Sequence, residues 1–246
     1  MSHSARAFNA QRIKGIVFDK DGTLLDFHAT WVPKVRQAAR VVAADKPQLI
    51  ETMLAATGYD AGQDRVLSGS IIAAGSNKEI SEVWARLTHQ SAKEVEKALS
   101  VLFTSAAFTG SVAVPKLKLT LSSLAALGLK LGVATMDNEA GIKATLGQFG
   151  CLDLFDYSVG YDSGYGTKPG PGMVLGFCKT TGLAPEEVMV VGDNTHDLRM
   201  GQSSNAGFNV GVLTGTSLSS DLEPDADLVL DSIADLPALW AQKSNC

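Results

Sequence analysis

Apolar residues recur along this chain with two different rhythms. Ile16, Val17 and Phe18 form an uninterrupted apolar run, the pattern of a strand buried on both faces of a parallel sheet. The run breaks off in Asp19-Lys20-Asp21-Gly22. Beyond it the period becomes helical. Val32, Val35, Ala39 and Val42 share one face, and Pro33 falls in the first turn, where proline is tolerated. A second helix is expected to begin near Asp45-Lys46-Pro47 and to stop at Gly58. Tyr59 to Gly75, with Gly62, Gly69 and Gly75, reads as a loop holding one turn of helix. Ile80, Val83, Trp84 and Leu87 then mark a helix over 79–88, and Ser91-x-x-Glu94 is a capping box that opens another toward Phe108.

After Val114 helices alternate with short apolar strands. The expected order is helix 115–127, strand 130–135, helix 139–149, a strand near 157–160, helix 171–181, strand 188–192, helix 195–203, strands near 208–212 and 227–230, and a last helix 233–242. This βαβα rhythm predicts an α/β fold with a parallel sheet and right-handed crossovers. Residues 28–110 therefore read as a helical insertion, and residues 1–27 with 111–246 as the α/β part.

Composition narrows the class. A chain of 246 residues with 45% hydrophobic and 19% charged residues can bury a sizeable core. A formal net charge of −5 without a basic run argues against a general nucleic-acid or acidic-membrane binder. No apolar run approaches the roughly 20 residues of a membrane span. Cys151, Cys178 and Cys246 are odd in number and lack metal-ligand spacing, which predicts reduced thiols and a cytoplasmic location. Residues 1–12 carry Arg6 and Arg12 with Ser2 and Ser4 but no apolar secretory core, and read as a short tail. His3, His28, His89 and His196 lack metal spacing too; His28 stands nearest the first carboxylates. Trp31, Trp84 and Trp240 sit on helical apolar faces, as packing residues would.

The chemistry sits where strands end. Asp19 and Asp21 follow the first strand, at the carboxyl end where open α/β sheets bind ligands. Alone they also fit an ordinary Asp-Gly turn. Three later segments join them: Thr135 after Leu131-Gly132-Val133-Ala134, Lys168 in Gly166-Thr167-Lys168-Pro169, and Asp193 with Asp197 in Val190-Val191-Gly192-Asp193-Asn194-Thr195-His196-Asp197. With Asp19, Asp21 and Thr23 filling Asp-x-Asp-x-Thr, this ordered set over residues 13–197 resembles the four motifs of the haloacid dehalogenase-like hydrolases.

The resemblance implies a Rossmann-like sheet of order 3-2-1-4-5 with the helical insert as a cap over the strand ends. Strands 1 and 4 would then flank a crevice at Asp19 and Asp193. By the same resemblance Asp19 is a nucleophile toward phosphorus. Asp21 is a general acid and then a base. Lys168 offsets phosphate charge. Mg²⁺ is held by Asp19, Asp193 and the Asp21 backbone carbonyl, and Asp197 either joins it or holds a water or Lys168 from behind. Thr135 and backbone N–H groups around Lys20, Asp21 and Asn138 would bind phosphate oxygens. Lys20 departs from the more frequent apolar residue at its position and adds positive charge.

The implied activity is hydrolysis of a small phosphate ester, in motif wording and cap placement similar to phosphoglycolate phosphatases. Asp21 argues against haloalkanoate dehalogenase and phosphonate hydrolase chemistry. A sugar phosphomutase would keep Asp21, and a non-catalytic phosphate-binding protein is the reading from another class. Substrate choice is expected from the insert. There Arg65 reads either as a guanidinium for a substrate carboxylate or as a surface arginine paired with Asp60 or Asp64. Oligomeric state leaves no mark in the sequence.

Overall fold

A computed structural model describes residues 6–104 and 110–241, and the chain divides into two compact units, Met1–Asp26 with Ala113–Cys246, and Phe27–Val112. The first unit opens with β1 (Gly15–Phe18), buried throughout. The chain then builds the second unit from α1 (Phe27–Ala43), α2 (Ile50–Ala56), β2 (Tyr59–Asp60), β3 (Arg65–Val66), α3 (Ile71–Ala74), α4 (Asn77–Thr88) and α5 (Ala92–Thr104).

Trp84 organises this helical unit. Its side chain is fully buried among Met53, Leu54 and Leu99, and its indole N–H donates to the Met53 carbonyl at 2.9 Å. Truncating so large a buried ring to Ala would cost roughly 3–5 kcal/mol. α4 opens with the capping box of Ser76 and Glu79. The helix expected from residue 45 differs at its start, because Pro47–Leu49 forms a 3₁₀ turn and α-helix begins only at Ile50. The loop expected over 59–75 contains the antiparallel β2–β3 hairpin as well as α3. Two-residue strands are too short to show a period of two, so sequence pattern misses them. The expected continuation of α5 to Phe108, and the expected end of the last helix at residue 242, lie outside the described residues, as do Ser2, His3, Ser4 and Cys246.

The α/β unit resumes with α6 (Leu117–Ala126), β4 (Lys130–Ala134), α7 (Glu139–Gly147), β5 (Tyr157–Val159), α8 (Gly172–Thr181), β6 (Val188–Gly192), α9 (Thr195–Ser203), β7 (Phe208–Val212), α10 (Ser219–Leu222), β8 (Leu228–Leu230) and α11 (Leu236–Ala241). Its strands are all parallel, in the order β5-β4-β1-β6-β7-β8. Counted along the chain within this sheet the order is 3-2-1-4-5-6, so it differs from the five-strand expectation by the added edge strand β8. Ile16 and Phe18 belong to one apolar cluster with Leu121 and Leu124, and Val17 to another with Met173 and Phe177. Both faces of β1 are covered, which is why its sequence is apolar without alternation.

Cys151 and Cys178 are buried free thiols. No helix among the described residues is long and apolar enough to cross a membrane. Phe8 stacks edge-on against both Trp240 and Phe208, and Trp31 packs against Phe103.

Candidate active site

Sheet register assembles the site. Phe18 pairs with Val133 of β4 on one side and Val191 of β6 on the other, so Asp19, Thr135 and Asp193 all emerge at the same carboxyl edge. The Asp19 N–H still donates to the Val191 carbonyl at 2.9 Å, fixing where its side chain starts. Asp193 follows β6, and Asp197 lies in the first turn of α9. Carboxylate oxygens of Asp19, Asp193 and Asp197 come within 4.8 Å of one another, and all three residues are buried.

Lys168 reaches into this cluster. Its ammonium donates to Asp19 Oδ1 at 2.5 Å and to Asp197 Oδ1 at 2.6 Å. The other Asp197 oxygen accepts from the Asn194 N–H at 3.1 Å, so Asp197 caps α9 and holds Lys168 at once. Thr23 Oγ1 stands 3.5 Å from Asp193 Oδ1. The Thr216 N–H also donates to Asp193.

Packing three carboxylates and one ammonium away from water has electrostatic consequences. Burial pushes the Asp19 carboxyl up to about 7 against the pull of Lys168, and Asp197 adds to the rise. Burial, reinforced by Asp197 and Asp19, raises Asp193 well above the ordinary aspartate value. Burial works to lower Lys168, but Asp19 and Asp197 together outweigh it and hold its ammonium above the ordinary lysine value. The cluster is short of positive charge.

The donor set therefore fits a hard divalent cation, which takes carboxylate oxygens in preference to nitrogen or sulfur. The backbone around Asp193 is shaped for a fixed carboxylate. A β-carbon at Gly22, whose φ is +88°, would lie 2.5 Å from Asp193 Cγ. No metal is part of this structure; Asp19, Asp193 and Asp197 are the residues that would hold one.

A second group of side chains flanks the first. Lys20 is buried, and its ammonium lies 2.7 Å from Asp21 Oδ2 and 3.0 Å from Asp137 Oδ2. Burial opposes the charge of Lys20, but Asp21 and Asp137 outweigh that effect and raise its pKa. Thr135 Oγ1 accepts from the Asp137 N–H at 3.1 Å. Asn138 caps α7, its side chain accepting from the Gly141 N–H at 2.7 Å, while its own N–H donates to Asp137 Oδ1.

The family model described as haloacid dehalogenase-like hydrolase matches residues 13–205. The chain belongs to the haloacid dehalogenase-like hydrolases. A phosphoglycolate phosphatase of Photorhabdus laumondii is 28% identical over 230 residues, covering 91% of each chain. The crystal structure of a predicted phosphoglycolate phosphatase from Haemophilus somnus superimposes with a TM-score of 0.72 at 21% identity, covering 94% of this chain and 100% of that one. A provisionally assigned β-phosphoglucomutase from Thermotoga maritima gives a TM-score of 0.70 at 18% identity, with the same coverage. At those identities the two structures establish the shared fold.

Among haloacid dehalogenase-like hydrolases this chain thus brings Asp19, Lys168, Asp193 and Asp197 into one cluster, with Thr23 against Asp193. Asp21 and Thr135 stand beside it through Lys20 and Asp137. Asn138 spends both its side chain and its N–H on local structure. Arg65 lies in the other unit, half-buried on β3 and across the hairpin from Asp60. There Asp60 accepts from the Gly62 and Gln63 N–H groups, and Asp64 accepts from the Tyr59 hydroxyl. His28 accepts from the Val66 N–H at 3.3 Å, tying α1 to β3.

Sequence reasoning missed Asp137 and the loop Thr214-Gly215-Thr216. Thr214 Oγ1 donates to the Gly22 carbonyl at 2.7 Å, and Gly215 gives Asp193 its space. The available signal was position: a Gly flanked by Thr directly after β7, at the edge where β1 and β6 end.

Proposed function

We propose that this protein is a Mg²⁺-dependent phosphomonoesterase that works through an aspartyl-phosphate on Asp19. One observation carries the reading: the buried convergence of Asp19, Asp193 and Asp197 with the Lys168 ammonium bridging Asp19 and Asp197. An ionised carboxylate needs no base to act as nucleophile, but it must approach a phosphate of like charge. Asp19, Asp193, the Asp21 carbonyl and the surrounding acidic residue Asp197 would hold Mg²⁺, which when bound would supply charge neutralisation toward the phosphoryl group. Lys168 supplies the second positive charge, kept in place by Asp197.

An Asp19 oxygen bonds to phosphorus as the ester P–O bond breaks, and the leaving alkoxide takes the proton of Asp21. Water then attacks the same phosphorus and gives a proton back to Asp21, and the acyl-phosphate bond breaks to free Asp19 and inorganic phosphate. The Thr135 hydroxyl, which accepts from Asp137, keeps its own hydrogen for a phosphate oxygen. The curated relative's name supports phosphoglycolate as a first substrate to try.

The test is release of inorganic phosphate from p-nitrophenyl phosphate and a panel of small metabolite phosphates, with and without Mg²⁺. Turnover with a trapped acyl-phosphate at Asp19 is the expected result. Phosphate binding without turnover of any ester would replace the enzyme with a binding protein, and phosphoryl transfer between two positions of one sugar would make it a mutase.

A further inference from the structure

We propose that Lys20 is a positioning residue that fixes the carboxyl group of Asp21 by tying it to Asp137; the inference rests on the phosphatase reading above. A buried ammonium is costly unless carboxylates surround it. Lys20 is 3% exposed and meets that condition with two, Asp21 Oδ2 at 2.7 Å and Asp137 Oδ2 at 3.0 Å. A residue between two strand-end aspartates has no need of charge merely to be buried there.

Asp137 is a rigid post. Its N–H donates to Thr135 Oγ1 at 3.1 Å, its Oδ1 accepts from the Asn138 N–H at 2.7 Å, and its carbonyl accepts from the Tyr161 N–H at 3.0 Å. Its carboxylate also fills the space beside Gly141, where a β-carbon would stand 2.2 Å from Oδ2. Asp21 lies on a turn just before Gly22. The ammonium carries the rigidity of the post across to that turn. The carboxyl so held is the one assigned to the proton of the leaving group. Proton transfer contributes roughly 10²–10⁴-fold when the acid is in place, and a displacement of about 1 Å is enough to forfeit 10²-fold.

This role has a signature that general structural damage lacks. An alkoxide leaving group needs a proton from Asp21, whereas p-nitrophenolate leaves as a stable anion. The experiment compares kcat/KM for β-glycerophosphate and p-nitrophenyl phosphate in wild type, Lys20→Met and Asp137→Asn. In Asp137→Asn, Oδ1 keeps the Asn138 N–H, so the amide nitrogen faces the ammonium and donor meets donor. Both variants should lose about 30-fold or more on β-glycerophosphate and stay within about threefold on p-nitrophenyl phosphate. Should Lys20→Met not fold, the nearly isosteric Asp137→Asn decides alone. Equal losses on the two esters, or unchanged turnover of β-glycerophosphate, would overturn the assignment while leaving the phosphatase reading intact. A wild type that hydrolyses neither ester would overturn both.

Discussion

A β-carbon placed on Gly215 would stand 1.7 Å from Asp193 Oδ2. The carboxylate thus occupies the volume that any other residue at 215 would need, and Gly22 leaves the same kind of gap beside it. Gly215 is not among the glycines with positive φ, so alanine there tests space and not backbone strain. Gly215→Ala should push Asp193 out of line and raise the Mg²⁺ concentration for half-maximal activity by about tenfold or more, the scale seen when groups that orient a metal ligand are disturbed. A Mg²⁺ titration beside a far-UV spectrum checks it. An unshifted midpoint in a folded variant would remove Asp193 from the metal set.

Asp19→Asn keeps the size of the side chain and removes both the proposed nucleophile and the charge that Lys168 faces at 2.5 Å. Turnover should fall by more than about a thousandfold, the order expected when one member of a concerted catalytic unit is lost. A purified, folded variant retaining a tenth of wild-type activity would show that Asp19 is not the nucleophile.

Much of this site was legible before any coordinates, because strand-end motifs report position along the sheet and position is what the chemistry uses. Ile16 to Phe18 announced a doubly covered strand, and its register with Val133 and Val191 carries Thr135 and Asp193 to the same edge as Asp19. What stayed hidden depends on contacts distant in sequence. Nothing local to Gly215 says that Asp193 will fill its empty side, and nothing in Lys20 alone says that its partner across the sheet edge is Asp137. The hairpin of Tyr59–Asp60 with Arg65–Val66 was hidden for another reason, its strands being shorter than any period.

Exhaustive chelation should abolish activity and Mg²⁺ should restore it, because three buried carboxylates facing a phosphate ester leave negative charge that Lys168 alone does not cancel. Ca²⁺ should inhibit when added beside Mg²⁺, since its larger and more variable oxygen shell would misplace Asp19, which we propose as both nucleophile and ligand. Activity undiminished after chelation, measured with p-nitrophenyl phosphate, would contradict the metal assignment.

Arg65 is the residue of the helical unit that we assign to substrate choice. A guanidinium makes a paired contact with a carboxylate that no shorter side chain reproduces. Arg65→Ala should raise KM for phosphoglycolate and leave that for p-nitrophenyl phosphate unchanged, since the aryl ester has no carboxylate. Equal changes for the two esters, or none for either, would reject the assignment.

Asp227 offers a pH-dependent test of how the start of the described chain is held. The Arg6 backbone N–H and side chain donate to both Asp227 oxygens at 2.6–3.0 Å, and the Asn209 N–H of β7 donates as well at 2.8 Å. Burial acts to raise Asp227, but these donors outweigh it and hold the carboxyl below its ordinary value of 3.8. A depressed carboxyl stabilises the fold fully above the unfolded value and loses that contribution as pH falls through the folded one. Asp19 and Asp193 work in the opposite sense, burial raising both carboxyls; Asp19, raised to about 7, opposes folding above that pH and ceases to as it takes up a proton between about 7 and 3.8. The wild-type pH curve therefore mixes opposed contributions. The difference between wild type and Arg6→Ala isolates that of Asp227, because Asp19 and Asp193 are common to both. Arg6 is partly exposed, so solvent limits the expected loss to about 1 kcal/mol at neutral pH. Denaturant unfolding of both proteins without metal should show that gap held down to about pH 4 and narrowing below it. A gap that persists unchanged to pH 2 would mean that Arg6 stabilises through its 2.6 Å bond to the Ala206 carbonyl and its packing, and not through the Asp227 charge.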